Sequence, residues 1–289
     1  MQTTVPTDSR PLIIFSHGNS FPASTYGAMT ADLERRGYTV KAIEKLGHDP
    51  AYPVTSNWPH LVQQLADFAA LQATNSGSPI VLVGHSLGGF LSLMCAARHP
   101  DLAHGNLRGV VLLDSPIING WRAKALGLAK LTRLAGRLGP GAISQKRKNQ
   151  WASKEAVFLH FRGKKAFALW TDDALHAYVN NGTEPDGTQH RLAFDRNIET
   201  AIYNSLPHNM GALMARSPPQ CPVAFIGGQQ SLEIGRVGLS LTRRVTQGHL
   251  RLIEGSHLFP IEHPQATAAA VDEEITRMVG VKASGQSTA

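Results

Sequence analysis

Cysteine is nearly absent, with only Cys95 and Cys221 in 289 residues. Two thiols this far apart exclude a small disulfide framework. The plainer expectation is two reduced thiols in a cytoplasmic chain. Long apolar runs are also missing. No stretch approaches the ~20 consecutive apolar residues of a membrane-spanning helix, so no integral membrane segment is expected. Residues Met1 to Arg10 are polar and carry Asp8, without the charged start, apolar middle and small-residue cleavage site of a secretory signal. There is no zinc-like ligand spacing, no phosphate-cradling glycine loop and no aromatic–basic nucleic-acid module. The expectation is therefore no metal, no cofactor and no nucleic-acid partner. Acidic residues are missing from one long segment, with none between Asp114 and Glu155.

What remains has the make-up of a globular protein: 42% hydrophobic, 17% charged, 27 glycines and a formal net charge of +7. The length suits one core with an insertion better than two independent domains. Short apolar runs at 11–15, 38–43, 78–83 and 107–113 read as buried strands. Helical patterns lie between them at 25–36, 57–74 and 90–98. Alternation then stops. From Pro116 to Pro218 the sequence shows helical patterns and Gly/Pro joints, with no convincing strand. It resumes with strands at 222–226 and 249–253, a helical stretch near 233–245 and a long helix at 264–279. Strand–helix alternation predicts an α/β fold, a mostly parallel sheet with helices on both faces. Its expected core is 1–115 with 219–289, and 116–218 is expected to be a helical cap inserted after the fourth strand.

One motif carries chemistry. Gly84-His85-Ser86-Leu87-Gly88 matches G-x-S-x-G between a predicted strand and a predicted helix. Small residues on either side of the serine permit a sharp turn that exposes its hydroxyl above the sheet. A tight turn with no catalytic role is the plainer alternative. A serine hydroxyl needs a base oriented by an acid. His257, after the last strand in Gly255-Ser256-His257, is the expected base. For the acid there are two candidates at strand ends, Asp114 and Glu233. Placement in the chain favours Glu233, with Asp114 as the alternate, although Ser231 stands nearest the expected acid position. Leu87 and Asn19 are the expected oxyanion donors through their backbone N–H groups. No cofactor is needed for this chemistry.

Taken together, His17-Gly18-Asn19, Gly84-His85-Ser86-Leu87-Gly88-Gly89 and Gly255-Ser256-His257 with Glu262 and Pro264 resemble the α/β-hydrolase superfamily, over Pro11 to Val279. The His-Gly-Asn loop and an acid at the end of the fourth strand are similar to haloalkane dehalogenases. Those use a carboxylate nucleophile, and serine at position 86 removes dehalogenation and epoxide opening. The resemblance implies an esterase-like activity on a small-molecule acyl substrate. An acyl thioesterase, a carbon–carbon hydrolase or lyase on the same triad, and a non-catalytic ligand-binding member of the fold stand as alternatives.

The acid-free segment holds Arg122, Lys124, Lys130, Arg133, Arg137, Lys146, Arg147, Lys148 and Lys154. Between Trp121 and Leu138 leucines share one helical face and cations another. Such a face suits an anionic substrate such as an acyl-CoA, or peripheral contact with an anionic membrane surface. A solvated lid helix is the plainer reading. Trp121, Trp151 and Trp170 belong to the insertion, as acyl-site lining or as core packing.

Overall fold

The structure is a computed structural model that describes residues 10–120, 125, 128 and 140–280. Its strands in chain order are β1 (Leu12–Ser16), β2 (Val40–Ala42), β3 (Ile80–His85), β4 (Leu107–Leu113), β5 (Gln150–Trp151), β6 (Thr183–Asp186), β7 (Gln189–Leu192), β8 (Val223–Gly228) and β9 (Leu250–Ile253). Six of them form one parallel sheet in the order β2-β1-β3-β4-β8-β9.

The strands are apolar throughout because both faces of this sheet are covered. Side chains alternate along a strand. Leu12, Ile14, Ile80, Leu82, Val110, Leu112 and Phe225 pack with α2 (Pro59–Ser76) and α3 (Leu87–Arg98). Ile13, Phe15, Val81, Val83, Val111, Leu113 and Ile226 pack with α1 (Gly27–Arg35) and the final helix Pro264–Val279. Each fully buried side chain of this size contributes roughly 1.5–3 kcal/mol, so a polar residue is disfavoured on either face. Polar residues gather instead at the carboxyl ends, where Ser16, His85 and the residues after Leu113 lie.

The helices follow local signals. α2 has Pro59 in its first turn and ends on Gly77 in the left-handed conformation. The expected helix near 233–245 is two helices, Leu232–Val237 and Ser240–Val245, broken at Gly238 with φ 78°. Positive φ at glycine stops a helix.

The segment between β4 and β8 departs from the expectation of helices alone. It has helices Pro140–Lys146, Lys154–Arg162, Asp172–Gly182, Arg196–Asn204 and Met210–Arg216. It also has a three-stranded antiparallel sheet in the order β5-β7-β6. These strands are two to four residues long and polar, as in Thr183-Glu-Pro-Asp186, so hydrophobic alternation is too weak to reveal them. The readable signal is the turn: Asp186 pairs with Gln189 across Gly187-Thr188, and Gly187 has φ 60°. The expected basic helix between Trp121 and Leu138, with its cations Arg122 to Arg137, lies outside the described residues save for positions 125 and 128. Among the described residues no helix is long and apolar enough to cross a membrane. Cys95 and Cys221 are both free.

Candidate active site

β3 passes to α3 through a single residue, Ser86, at φ 53° and ψ −113°. Positive φ at a non-glycine residue costs on the order of 1–3 kcal/mol and persists only where its surroundings enforce it. The neighbouring glycines show how tight the turn is. A Cβ on Gly84 would lie 2.2 Å from the Gly88 carbonyl oxygen, and one on Gly88 would lie 1.9 Å from the Ser16 carbonyl oxygen. The serine backbone is held on both sides: its N–H donates to the Leu113 carbonyl at 2.9 Å, and Ser115 Oγ donates to its carbonyl at 2.9 Å.

His257 lies in the loop after β9 and reaches back over this turn. Its Nε2 is 3.0 Å from Ser86 Oγ, and its Nδ1 is 2.6 Å from Asp114 Oδ2. The loop is locked from below by Glu262, which accepts from the Ser256 N–H at 2.7 Å and from Ser256 Oγ at 2.5 Å. It is tied across by the Gly255 N–H, which donates to Gln230 Oε1 at 2.7 Å. Gly228 allows the close approach: a Cβ there would lie 2.2 Å from the Ser256 carbonyl oxygen.

The two candidate acids stand differently. Asp114 has a fully buried side chain, whereas Glu233 is 37% exposed. Asp114 Oδ1 accepts from the Gly228 N–H at 2.9 Å, and Oδ2 accepts from Ser231 Oγ at 2.5 Å as well as meeting His257. Glu233 Oε2 is 3.8 Å from His257 Nδ1. That is outside hydrogen-bond range. Placement along the chain favours Glu233; the distances favour Asp114. The reason lies in Ser231. It caps helix Leu232–Val237 by accepting from the Ile234 N–H at 3.2 Å and donates its proton to Asp114. Glu233 is thereby carried past the imidazole into the helix's first turn, 3.9 Å from Arg236.

These contacts set the titration of His257. Burial opposes the imidazolium, but the hydrogen bond and charge of Asp114, with Glu233 and Glu262 further out, outweigh it and raise His257 above its ordinary value of 6.5. Asp114, Glu233 and His257 each offer one metal-ligand atom, all within 4.8 Å of one another. A cation there would have to displace the proton shared by Asp114 and His257.

Of the two expected oxyanion donors, Leu87 directly follows the serine and Asn19 lies in the loop after β1. Leu87 is the first residue of α3, so its N–H has no intrahelical acceptor. Asn19 follows β1 and is buried, with Nδ2 donating to the Glu199 carbonyl at 3.1 Å and Oδ1 without a partner among the described residues. His17 braces this loop. Its Nε2 accepts from the Leu46 N–H at 2.8 Å and its Nδ1 lies 2.8 Å from the Gly18 carbonyl. Burial is the main reason its pKa falls to about 4. Of the three tryptophans in the insertion, Trp121 lies outside the described residues. Trp151 and Trp170 are 3% exposed and pack in one aromatic cluster with Phe161, Phe167 and Tyr178.

Two residues here carry no signal in the sequence. Tyr26 and His85 are buried beneath the site and hydrogen-bonded to each other at 2.7 Å. His85 falls within the G-x-S-x-G motif and Tyr26 within the predicted helix 25–36, neither of which points to a contact between them.

A doubly wound parallel sheet with a strained serine at the β3–α3 turn defines a class of protein, and residues 13–270 match the model of the alpha/beta hydrolase family. The chain belongs to that family. It is similar to the pyrethroid hydrolase of Sphingobium wenxiniae, 33% identical over 107 residues, or 36% of this chain and 37% of that one. It is also similar to the monoacylglycerol lipase of Mycolicibacterium smegmatis, 25% identical over 142 residues, or 48% and 49% of the two chains. The matches span about a third to a half of these curated relatives. Among solved structures, E-2-(acetamidomethylene)succinate hydrolase has a TM-score of 0.67 at 23% identity, covering 94% of this chain and 92% of that one. A thioesterase domain from the curacin biosynthetic pathway has a TM-score of 0.67 at 18% identity, covering 91% of each. At these identities the structural likeness is one of fold.

Proposed function

We propose that this protein is a serine hydrolase that cleaves a carboxylic ester or a related acyl bond through an acyl-enzyme. One observation carries the reading: the unbroken run from Asp114 Oδ2 to His257 Nδ1 at 2.6 Å and from His257 Nε2 to Ser86 Oγ at 3.0 Å. In this mechanism Ser86 Oγ attacks the acyl carbon as His257 Nε2 takes its proton. Asp114 holds the imidazole with its Nδ1 proton inward and stabilises the imidazolium. The Leu87 and Asn19 N–H groups receive the oxyanion. His257 returns the proton to the leaving group, and a water activated by the same imidazole releases the acid. Asp114 is the orienting carboxylate in this reading; Glu233 adds charge from a distance. Residues 116–218 act as the cap, and the reaction needs no cofactor.

A fluorophosphonate probe tests the reading directly. It should label the wild type and leave Ser86→Ala unlabelled. Equal labelling of both proteins would remove Ser86 as the nucleophile, and no labelling of either would favour a non-catalytic member of the fold.

A second reading, an acyl substrate bearing an anionic group such as an acyl-CoA thioester, has its own support. A cavity of about 460 Å³ is lined by Lys146, Arg147, Lys148, His160 and Lys164. Its one lining carboxylate, Glu199, is held by Arg147 Nη1 at 2.9 Å to both oxygens. Burial pushes the phenol pKa of Tyr203, also on the cavity wall, up to about 12. Combined Lys148→Glu and Lys164→Glu should raise KM for an acyl-CoA about tenfold or more and leave a neutral ester unaffected. Equal KM values for both substrates would remove this reading.

A further inference from the structure

Beneath the serine lies a set of buried polar groups that the hydrolytic mechanism does not use. The Gly18 N–H donates to Tyr26 Oη at 3.0 Å. Tyr26 Oη is 2.7 Å from His85 Nδ1. His85 Nε2 is 2.8 Å from the backbone carbonyl of His257. Tyr26 and His85 are each 1% exposed.

The acceptor at the far end decides how the protons run. A carbonyl can only accept, so His85 Nε2 must carry a proton. Burial, then the neighbouring His257, keep the His85 pKa well below 6.5. A neutral imidazole with Nε2 protonated has a bare Nδ1, so that atom accepts from the tyrosine hydroxyl. Tyr26 in turn accepts from Gly18 with its remaining lone pair, and burial holds the phenol protonated by raising its pKa. Every donor then meets an acceptor, and reversing the His85 tautomer would set a bare nitrogen against a carbonyl oxygen.

The two ends of this chain are the two parts of the site that must be held apart correctly. Gly18 immediately precedes Asn19, whose N–H is assigned to the oxyanion. His257 carries the base. His85 itself adjoins Ser86, and its ring lies 4.9 Å from that of His257 between centroids. The approach is close enough to demand glycine at position 18: a Cβ there would lie 2.8 Å from His85 Nδ1 and 2.9 Å from Tyr26 Oη.

We propose that Tyr26 and His85 are positioning residues, a neutral, one-directional hydrogen-bond relay that sets the spacing between the oxyanion loop and the backbone of His257. The proposal rests on the serine-hydrolase reading for its effect on rate. Neither residue touches the reacting atoms. Their loss shifts donor and base relative to each other, and misplacement of about 1 Å can cost on the order of 10²-fold in rate.

The test compares Tyr26→Phe, His85→Gln and His85→Asn with the wild type on a neutral ester. Tyr26→Phe removes the hydroxyl that both accepts from Gly18 and donates to His85, and kcat should fall about 10- to 100-fold with KM within twofold. His85→Gln keeps a donor near the Nε2 position and should retain clearly more kcat than His85→Asn, whose amide reaches only the tyrosine side. Wild-type kcat in Tyr26→Phe, or equal kcat in the two His85 variants, would overturn the relay. If Tyr26→Phe fails to fold, the His85 pair still decides. A readout independent of turnover is the ¹⁵N chemical shift of the His85 ring. It should report a neutral Nε2–H tautomer at neutral pH. The opposite tautomer would sink the relay even in an active enzyme, whereas the expected tautomer in a wild type inert to fluorophosphonate would locate the failure in the hydrolase reading.

Discussion

Asp114 and Glu233 lie on the same side of one imidazole, and their different surroundings make them separable by mutation. Asp114→Asn removes the 2.6 Å acceptor of His257 Nδ1, and kcat should fall on the order of 10⁴-fold. Glu233→Gln removes a charge at 3.8 Å on a side chain that is more than one-third exposed, and should cost no more than a few-fold. Turnover of the two purified variants on an activated ester checks this, and the reverse ranking would reinstate Glu233. The pH profile follows from the same contacts. In the proposed mechanism His257 is the base and works only when neutral. Asp114 outweighs burial and raises its pKa, so kcat/KM should fall with decreasing pH along a limb centred above 6.5. A limb centred below 6.5 would mean that burial outweighs Asp114. Which carboxylate lies nearer the imidazole could not be read from the chain, because it depends on Ser231 capping the next helix and donating to Asp114, a contact across 117 positions.

At the scale of elements, the β3–α3 turn explains why the serine was legible and much around it was not. Gly84, Ser86 and Gly88 act over five residues, so strand, turn and helix are all visible in one short stretch of sequence. The sterics behind the motif are testable. Gly88→Ala would drive a methyl group to 1.9 Å from the Ser16 carbonyl, a backbone atom with nowhere to go, and should destabilise the protein by several kcal/mol or prevent folding. Gly235→Ala, in helix Leu232–Val237, meets nothing within 4 Å and should be neutral or stabilising by up to about 1 kcal/mol. Thermal melts of the two variants would show the contrast, and similar melting temperatures would remove the close-approach account. The antiparallel sheet β5-β7-β6 escaped hydrophobic patterning because half-exposed strands of two to four residues need little apolar surface. Only the Asp-Gly turn between β6 and β7 announced it.

For the whole molecule, the buried histidines contribute to the response to acid, beside the ion-paired carboxylates Asp32 and Asp272, whose pKa values are lowered. His17 is held neutral in the fold, with burial lowering its pKa from 6.5 to about 4, and His85 is lowered as well. The unfolded chain therefore binds more protons below about 6.5, and stability falls as pH drops from there towards 4. The lowered pKa of His17 makes it a contributor on the order of a few kcal/mol to that loss. His257 has the opposite sign: its raised pKa adds stability below 6.5, which is lost as pH rises through the raised value. Denaturant midpoints measured at pH 7, 6, 5 and 4 should decline steadily, and His17→Gln should flatten the decline if the variant folds. An unchanged slope in a folded variant would exclude His17 as the source.

The sequence by itself determined the strand–helix alternation, the parallel sheet it implies, and the strained serine at the end of β3. These depend on residues near one another, through burial on alternate faces and steric exclusion within one turn. Tertiary structure decided which carboxylate reaches the imidazole, what lies under the serine and which polar segments pair as strands. His257 meets Asp114 across 143 positions and Ser86 across 171, and His85 meets the His257 carbonyl across 172. Hydrogen bonds form or fail within a few tenths of an ångström, and at such separations that margin is set by the packing of the whole sheet and its loops.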